Sequence, residues 1–443
     1  MAMKRNYLIC LAGLLLTGSN LLADTDYSKP AWLTDCSLGI KESYDDNVFL
    51  SGVSPQNLPA YTVPAGGVAA LKDKSSWVTT VSPKIGVNFA TLAGVTNWPV
   101  LSLTYAPDLV AYREQPSESY TTHRLLAAVK GDVGPVLLVG DNNFTYVDGS
   151  GVAPLYPGGL LSAFATVADR ERRRQIQDRA NVSLQYDQEH WFFRPVFSLL
   201  YYDMMTELLN TEGYQNYCDR YDVNGGADFG YKLTPQLALT LGYRYGHQYQ
   251  QQYSFTSYSS PSDYQRVLVG LEGNPWKWLN VKIQSGPDFR NYQGDSTTHT
   301  TPVNDLQPVK YYGEALVVVT FAPENTLTFK YKMWQWVSCL GKVPYYDSAY
   351  ELTWHDKLAD KLAFDLGGKI LDWDFSSGNL TTCRRDDMQY TVSAGLTYAI
   401  NSHISVNLTG MLDFGRNAEE AVTNPQNREY AQRLISLGTQ WKF

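Results

Sequence analysis

Cysteine and long apolar runs are scarce in this 443-residue sequence. Of five cysteines, Cys10 lies in a leading apolar run, and Cys36, Cys218, Cys339 and Cys383 are spread over the rest, with no pair at metal-ligand spacing. That excludes a disulfide-dense scaffold and a zinc site. Beyond residue 23 no stretch approaches the roughly 18 apolar residues of a membrane-crossing helix. Positive charge is also short, with 36 Lys and Arg against 44 Asp and Glu and a net charge of −8, which argues against nucleic acid as a partner. Histidine is sparse and scattered, at 123, 190, 247, 299, 355 and 403. His247 falls at the outer end of a strand-like segment and has Asp263 as a conceivable partner, although an interfacial histidine fits that position as well. The glycine-rich stretches lack the strand–loop–helix context of a nucleotide site. These absences read as a non-enzyme with no cofactor and no resident metal.

The N-terminus has the order of a secretory signal. Lys4 and Arg5 precede the apolar run from Tyr7 to Leu16, and a polar stretch of small residues leads to Ala23. Residues 1–23 are read as the signal, with cleavage after Ala23. Cys10 follows Ile9 rather than a small residue, which argues against a lipid anchor. Residues 24–35 then form a short periplasmic leader with no room for a plug domain.

What the remainder has is alternation. Leu237, Leu239, Leu241, Tyr243 and Tyr245 alternate with Ala238, Thr240, Gly242, Arg244 and Gly246. Tyr390, Val392, Ala394, Leu396 and Tyr398 face away from Thr391, Ser393, Gly395 and Thr397. At the C-terminus Ile435, Leu437, Trp441 and Phe443 share one parity, while Ser436, Gly438, Gln440 and Lys442 share the other. Side chains alternate faces along a strand, so each segment has a greasy face and a wet face. A terminal aromatic on such a strand is the mark read by the barrel-insertion machinery of the bacterial outer membrane, which makes Phe443 its contact. Aromatics reach 13%, led by 32 tyrosines, while mean hydropathy is negative. A membrane barrel needs aromatic girdles at both interfaces and little net hydrophobicity.

The spacing predicts an all-β transmembrane antiparallel barrel over 36–443 with about 18 strands; 16 is the alternative, because 36–50 and 345–355 alternate poorly. Its connections are short at 131–134, 187–190, 232–236, 273–277, 322–326, 356–360 and 400–402. The intervening ones are longer, at 51–76, 147–174, 203–217, 250–263, 290–309, 374–387 and 415–429. Short periplasmic turns and longer extracellular loops are the pattern of an outer-membrane barrel. Closure should pair 36–50 with 430–443, because an unpaired edge in lipid leaves backbone groups unsatisfied. Tyr186, Trp191, Tyr231, Tyr398 and Trp441 should form the lower aromatic belt.

A barrel of this girth leaves an aqueous channel. Its wet parity carries both signs, including Arg124, Arg179, Arg194 and Arg244 against Asp222, Asp228, Glu314 and Glu351. Loop 147–174 is the third outer loop. Its front half, 149–164, is too apolar for a free loop, and it runs into Asp169, Arg170, Glu171, Arg172, Arg173 and Arg174. Folded inward it would place Arg173 and Arg179 at a constriction, in phase with Gln175 and Gln177. Arg172 and Arg174 would face lipopolysaccharide. Packed outside, the whole cluster would salt lipopolysaccharide instead. Cys339 and Cys383, one outer connection apart, could form a disulfide in an oxidising compartment.

The first strand, Ser37-Leu-Gly-Ile-Lys-Glu-Ser-Tyr-Asp-Asp-Asn-Val-Phe-Leu50, resembles the opening of β-barrel porin family 2, as does the segment from Tyr231 to Tyr243 in style. The resemblance implies an outer-membrane barrel of a kind often associated with exopolysaccharide or capsule systems. Asp45, Asp46 and Asn47 offer hard oxygen ligands for a cation at the outer rim; a hydrated strand-end turn is the alternative. Two function classes follow. One is a porin-like channel for passive diffusion of a small solute, or for polysaccharide-related export. The other is a structural or surface protein whose lumen its loops close. Either way the partners are the lipid bilayer, lipopolysaccharide and the insertion machinery.

Overall fold

The computed structural model describes residues 29–48, 50, 74–149, 172–205, 219–250, 261–292, 309–337, 344–374, 386–417 and 430–443. Residues 1–23, read above as a signal, the body of the third outer loop and both Cys339 and Cys383 lie outside these residues. Strands β1 to β18 are, in order, Leu33–Asp45, Ser76–Asn88, an interrupted strand of Val100–Tyr105 and Asp108–Tyr112, Tyr120–Val133, Val136–Asp148, Gln175–Asp187, Trp191–Asp203, Arg220–Thr234, Leu237–Gln250, Ser262–Trp276, Leu279–Tyr292, Val309–Ala322, Asn325–Val337, Pro344–Ala359, Leu362–Asp374, Asp386–Ala399, Ile404–Asn417 and Tyr430–Lys442. Each pairs antiparallel with the next, and β18 returns to β1 with a register running from Ser37↔Lys442 to Asp45↔Leu434. The barrel is closed, with 18 strands.

Parity decides which side meets lipid. On β9, Leu241 is 56% exposed while Thr240 beside it is 6% exposed. Leu239, Tyr243 and Tyr245 share the outward face of Leu241, and Arg244 shares the inward face of Thr240. The five aromatics expected at the lower belt lie on outward positions near inner turns. Trp191 pairs directly with Tyr231, its ring stands 6.0 Å from that of Tyr186 and 5.9 Å from that of Phe229, and Tyr398 is 50% exposed.

Towards the N-terminal end of the barrel the elements differ from the sequence expectation. β1 starts at Leu33, inside the assigned leader, and stops at Asp45 rather than at residue 50. It stops there because the next residues turn back onto β18 through their side chains. The connection from β2 to β3 is not a simple turn: it opens with a short helix, α1 (Phe89–Leu92), whose first N–H groups, on Ala90 and Thr91, are accepted by Asn88 Oδ1. β3 breaks at Ala106–Pro107, since proline cannot donate to the ladder. Ala106 still donates to Arg124 O, at 2.9 Å, and the inward parity is the same on both sides of the break.

Candidate functional site

The inward face of the barrel divides into an arginine-rich arc and a plainer one. On the first, inward side chains of β7 to β12 pack on one another. Arg194 on β7 is held by Asp228 of β8 at 3.0 Å and Glu272 of β10 at 2.8 Å, and Arg244 of β9 reaches the same Asp228 at 2.7 Å. Further along, Asp288 of β11 accepts from Arg266 Nε at 2.7 Å and from Arg290 at 2.9 Å. Arg266 lies between two rings, 4.0 Å from the centre of Tyr264 and 4.5 Å from that of Tyr312. Tyr264 O–H donates to Asp222, and Tyr312 O–H to Glu314. Each charge taken from water therefore has an opposite charge or a ring face, as its burial requires.

This packing reaches across the lumen. Gln248 Nε2 of β9 donates to the Gln335 carbonyl of β13 at 3.0 Å. Arg220 of β8 stacks on Tyr202 of β7 and Trp336 of β13, 4.7 Å from each ring centre. Strands that are not neighbours in the sheet thus touch through its interior.

On the other arc, from β13 to β17, inward residues in the middle and inner parts of the strands are small, hydroxylic or charged, and several are open to solvent. Lys330, Asp365, Lys369, Ser393 and Thr409 are exposed. Towards the outer ends burial returns: Asp413 accepts from Thr391, Gln389 and Tyr430, and is 3% exposed.

The residues singled out from sequence fall in several places. Arg124, Arg179, Arg194 and Arg244 all lie on inward positions, as parity requires. Arg124 pairs with Asp108 at 2.5 Å, and Arg179 donates to the Tyr202 hydroxyl. Arg172 and Arg173 are not split between lipopolysaccharide and lumen. Both are buried, 3.7 and 2.7 Å from the same Glu118 oxygen in the second outer loop, and Arg172 stands over the Tyr112 ring. Strand β6 begins only at Gln175, so its alternation does not extend back to them. Arg174 is partly exposed, 4.0 Å from Asp148.

Asp45, Asp46 and Asn47 do not converge on one point. Asp45 accepts from Gln432 Nε2 and from the Asn47 N–H, all at 2.9 Å. Asp46 accepts from the Arg433 N–H at 2.7 Å, and Asn47 Nδ2 donates to the Ala431 carbonyl at 2.9 Å. Both Asp45 oxygens are held by Gln432 and one Asp46 oxygen by the Arg433 N–H, so the three residues latch β1 to β18 rather than facing a common cation. Among the described residues no group of three or more His, Cys, Asp or Glu side chains is placed to hold a metal. His247 does meet Asp263, at 2.7 Å, on the outward face beside the Tyr221 ring.

Sequence reasoning missed Arg220, Arg266, Asp288, Arg290 and Lys310. The parity of β10 is hard to read at its outer end, because Asp263 and Gln265 on one face are as polar as Tyr264 and Arg266 on the other. Counting back from inward Glu272 would have assigned it.

No family model matches the chain, and no curated protein matches it. Among solved structures it is similar to Pseudomonas aeruginosa OpdK with vanillate, at 9% identity and a TM-score of 0.42, covering 92% of this chain and 98% of that one. It is similar to Acinetobacter baumannii OccAB2 at 11% identity and a TM-score of 0.40, with 92% and 98% covered. A bacterial polysaccharide outer membrane secretin aligns at 9% identity and a TM-score of 0.30, again covering 92% and 98%. These are distant likenesses, and the barrel itself is read from the chain's own strand pairing.

Proposed function

We propose that the chain is a porin-like channel of the bacterial outer membrane, passed by small hydrophilic solutes down their gradients. The observation that carries this reading is an 18-stranded closed barrel whose inward face keeps solvated charges of both signs, Lys330, Lys369 and Asp365 among them. A lumen of this girth is too wide for strand side chains alone to fill throughout, and conduction needs groups that bind a solute weakly and release it. The exposed apolar face fits a bilayer, with lipopolysaccharide outside. The main-chain N–H of Phe443 donates to Cys36 at 2.8 Å while its ring is 52% exposed, which supports a terminal ring presented to the insertion machinery.

The packed outer ends favour small solutes over polysaccharide export. They also support a second reading, a structural protein with a loop-closed lumen. Planar-bilayer recording of the refolded chain separates the two. Discrete, ohmic channels are expected, and a tight seal at every voltage would establish the closed-lumen reading instead.

A further inference from the structure

The buried arginines are not where a passing solute meets positive charge. Arg266 and Arg290 are each 6% exposed and share Asp288, which is 1% exposed. The Gln248–Gln335 hydrogen bond spans the three strands between β9 and β13, and the Arg220–Trp336 stack spans the four between β8 and β13. The arc enclosed by these ties is filled by its own side chains. An anion entering it would have to displace a carboxylate already placed, inside a site closed to water.

The neighbouring arc offers a different contact. Lys330, Glu351 and Lys369 are consecutive register partners on β13, β14 and β15. Lys330 Nζ lies 3.0 Å from Glu351 Oε1, so that pair is largely neutral to a passing ion. Lys369 is exposed and carries no ion pair among the described residues. Its partner on β16 is Thr391, whose hydroxyl is taken by Asp413. A hydrated ammonium on a flexible stem exchanges one anion for another at low cost, which is the weak binding that conduction needs.

We propose that Lys369, on the rung it forms with Lys330 and Glu351, sets the charge preference of the channel. Small anions pass along the β13–β17 arc, and the arginine–tyrosine core of β9–β12 is a wall they do not touch. This rests on the passive-channel reading.

The test is the anion-to-cation permeability ratio, taken from reversal potentials of the refolded chain in a KCl gradient. The unaltered chain should prefer chloride. Lys369→Glu should lower the ratio at least about threefold with conductance kept within about twofold, and Lys369→Gln should fall between. Arg266→Gln should leave the ratio unchanged. Because variants can fail to refold, Lys369→Cys is also inserted as a working channel and then treated with a negatively charged thiol reagent. The ratio should drop on treatment, and the parent chain treated alike controls for its own cysteines. A ratio insensitive to Lys369→Glu and to the reagent, or one that moves with Arg266→Gln, overturns the inference. An unaltered chain that seals the bilayer overturns the channel reading itself, so the two failures are distinct.

Discussion

Removing the Asp288 carboxylate should be among the costliest single changes in the barrel. Asp288→Ala leaves the guanidinium groups of Arg266 and Arg290 without their shared counter-ion, in a place that is 1% exposed at the aspartate and 6% at each arginine. Breaking a buried ion pair from one side costs about 3–5 kcal/mol. Arg290 keeps its bonds to Gln248 at 2.7 Å and Ser262 at 3.3 Å, and Arg266 keeps two ring faces. Those remaining contacts place the expected loss near the lower end, about 3 kcal/mol. Asp288→Asn keeps an acceptor but not the charge, and should cost about half as much. The assay is urea unfolding in lipid vesicles followed by tryptophan fluorescence. As a reference, Glu351→Gln breaks a pair whose side chains are 55% and 36% exposed, and should cost no more than about 1 kcal/mol. A loss below about 1 kcal/mol for Asp288→Ala, or equal losses for Ala and Asn, would refute the view that this core is held by a buried charge.

Other expectations follow from the faces and turns. Val269→Arg, at the middle of β10 on the lipid side, should lose about 2–4 kcal/mol in the same assay, whereas Ser393→Arg on the lumenal side should refold normally and lower single-channel conductance. Gly286→Ala should lose more than an ordinary overpacking change of about 1–3 kcal/mol, because an added Cβ would stand 1.9 Å from the Val267 carbonyl oxygen; ordinary stability by urea titration would contradict the close approach. In the inner turn, the hydrogen bond and positive charge of Lys357 hold the Glu324 carboxyl below its ordinary pKa. That support is present above the unfolded carboxyl's pKa and fades as pH falls through the folded one. Lys357→Ala should therefore return the Glu324 titration, followed by NMR, to the usual carboxylate range, and because both groups are solvated the support lost with it should be too small to resolve in the urea titration.

How much could be read beforehand depended on whether the two faces of a strand differ chemically. β9 could be assigned almost to the residue because Leu239, Leu241 and Tyr243 contrast with Thr240, Gly242 and Arg244 along its length. β10 runs on to Trp276, past the turn expected at 273–277, because Gly273-Asn274-Pro275 has turn composition although Trp276 still pairs with Leu279. The outer-end core was hidden for the same reason, since a lumen turns polar residues inward where a soluble core would show an apolar stripe. The clustering of Arg172 and Arg173 on Glu118 joins two loops, and no period within either one encodes that contact. At residues 45–47 the residue types suggested a cation site, but the hydrogen bonds that decide the matter lie on β18, at the far end of the chain.

That latch bears on how the barrel comes to exist. Gln432 and Asp45 are 387 residues apart in sequence, and bringing the ends of a chain that long together costs about 5 kcal/mol of loop-closure entropy. That cost is most easily met once the other seventeen pairings have carried the two edges to within reach, so the β1–β18 seam is expected to close last. Until then the sheet has two open edges, one of which ends in Phe443. Nine register pairs then join the edges, from Ser37↔Lys442 up to Asp45↔Leu434, and the contacts of Asp45, Asp46 and Asn47 with residues 431–433 stand at the outer end of that row, where fraying would otherwise begin. The residues that resembled an ion site act as the clasp of a zipper, and weakening them would reopen the seam from the outside of the cell inward.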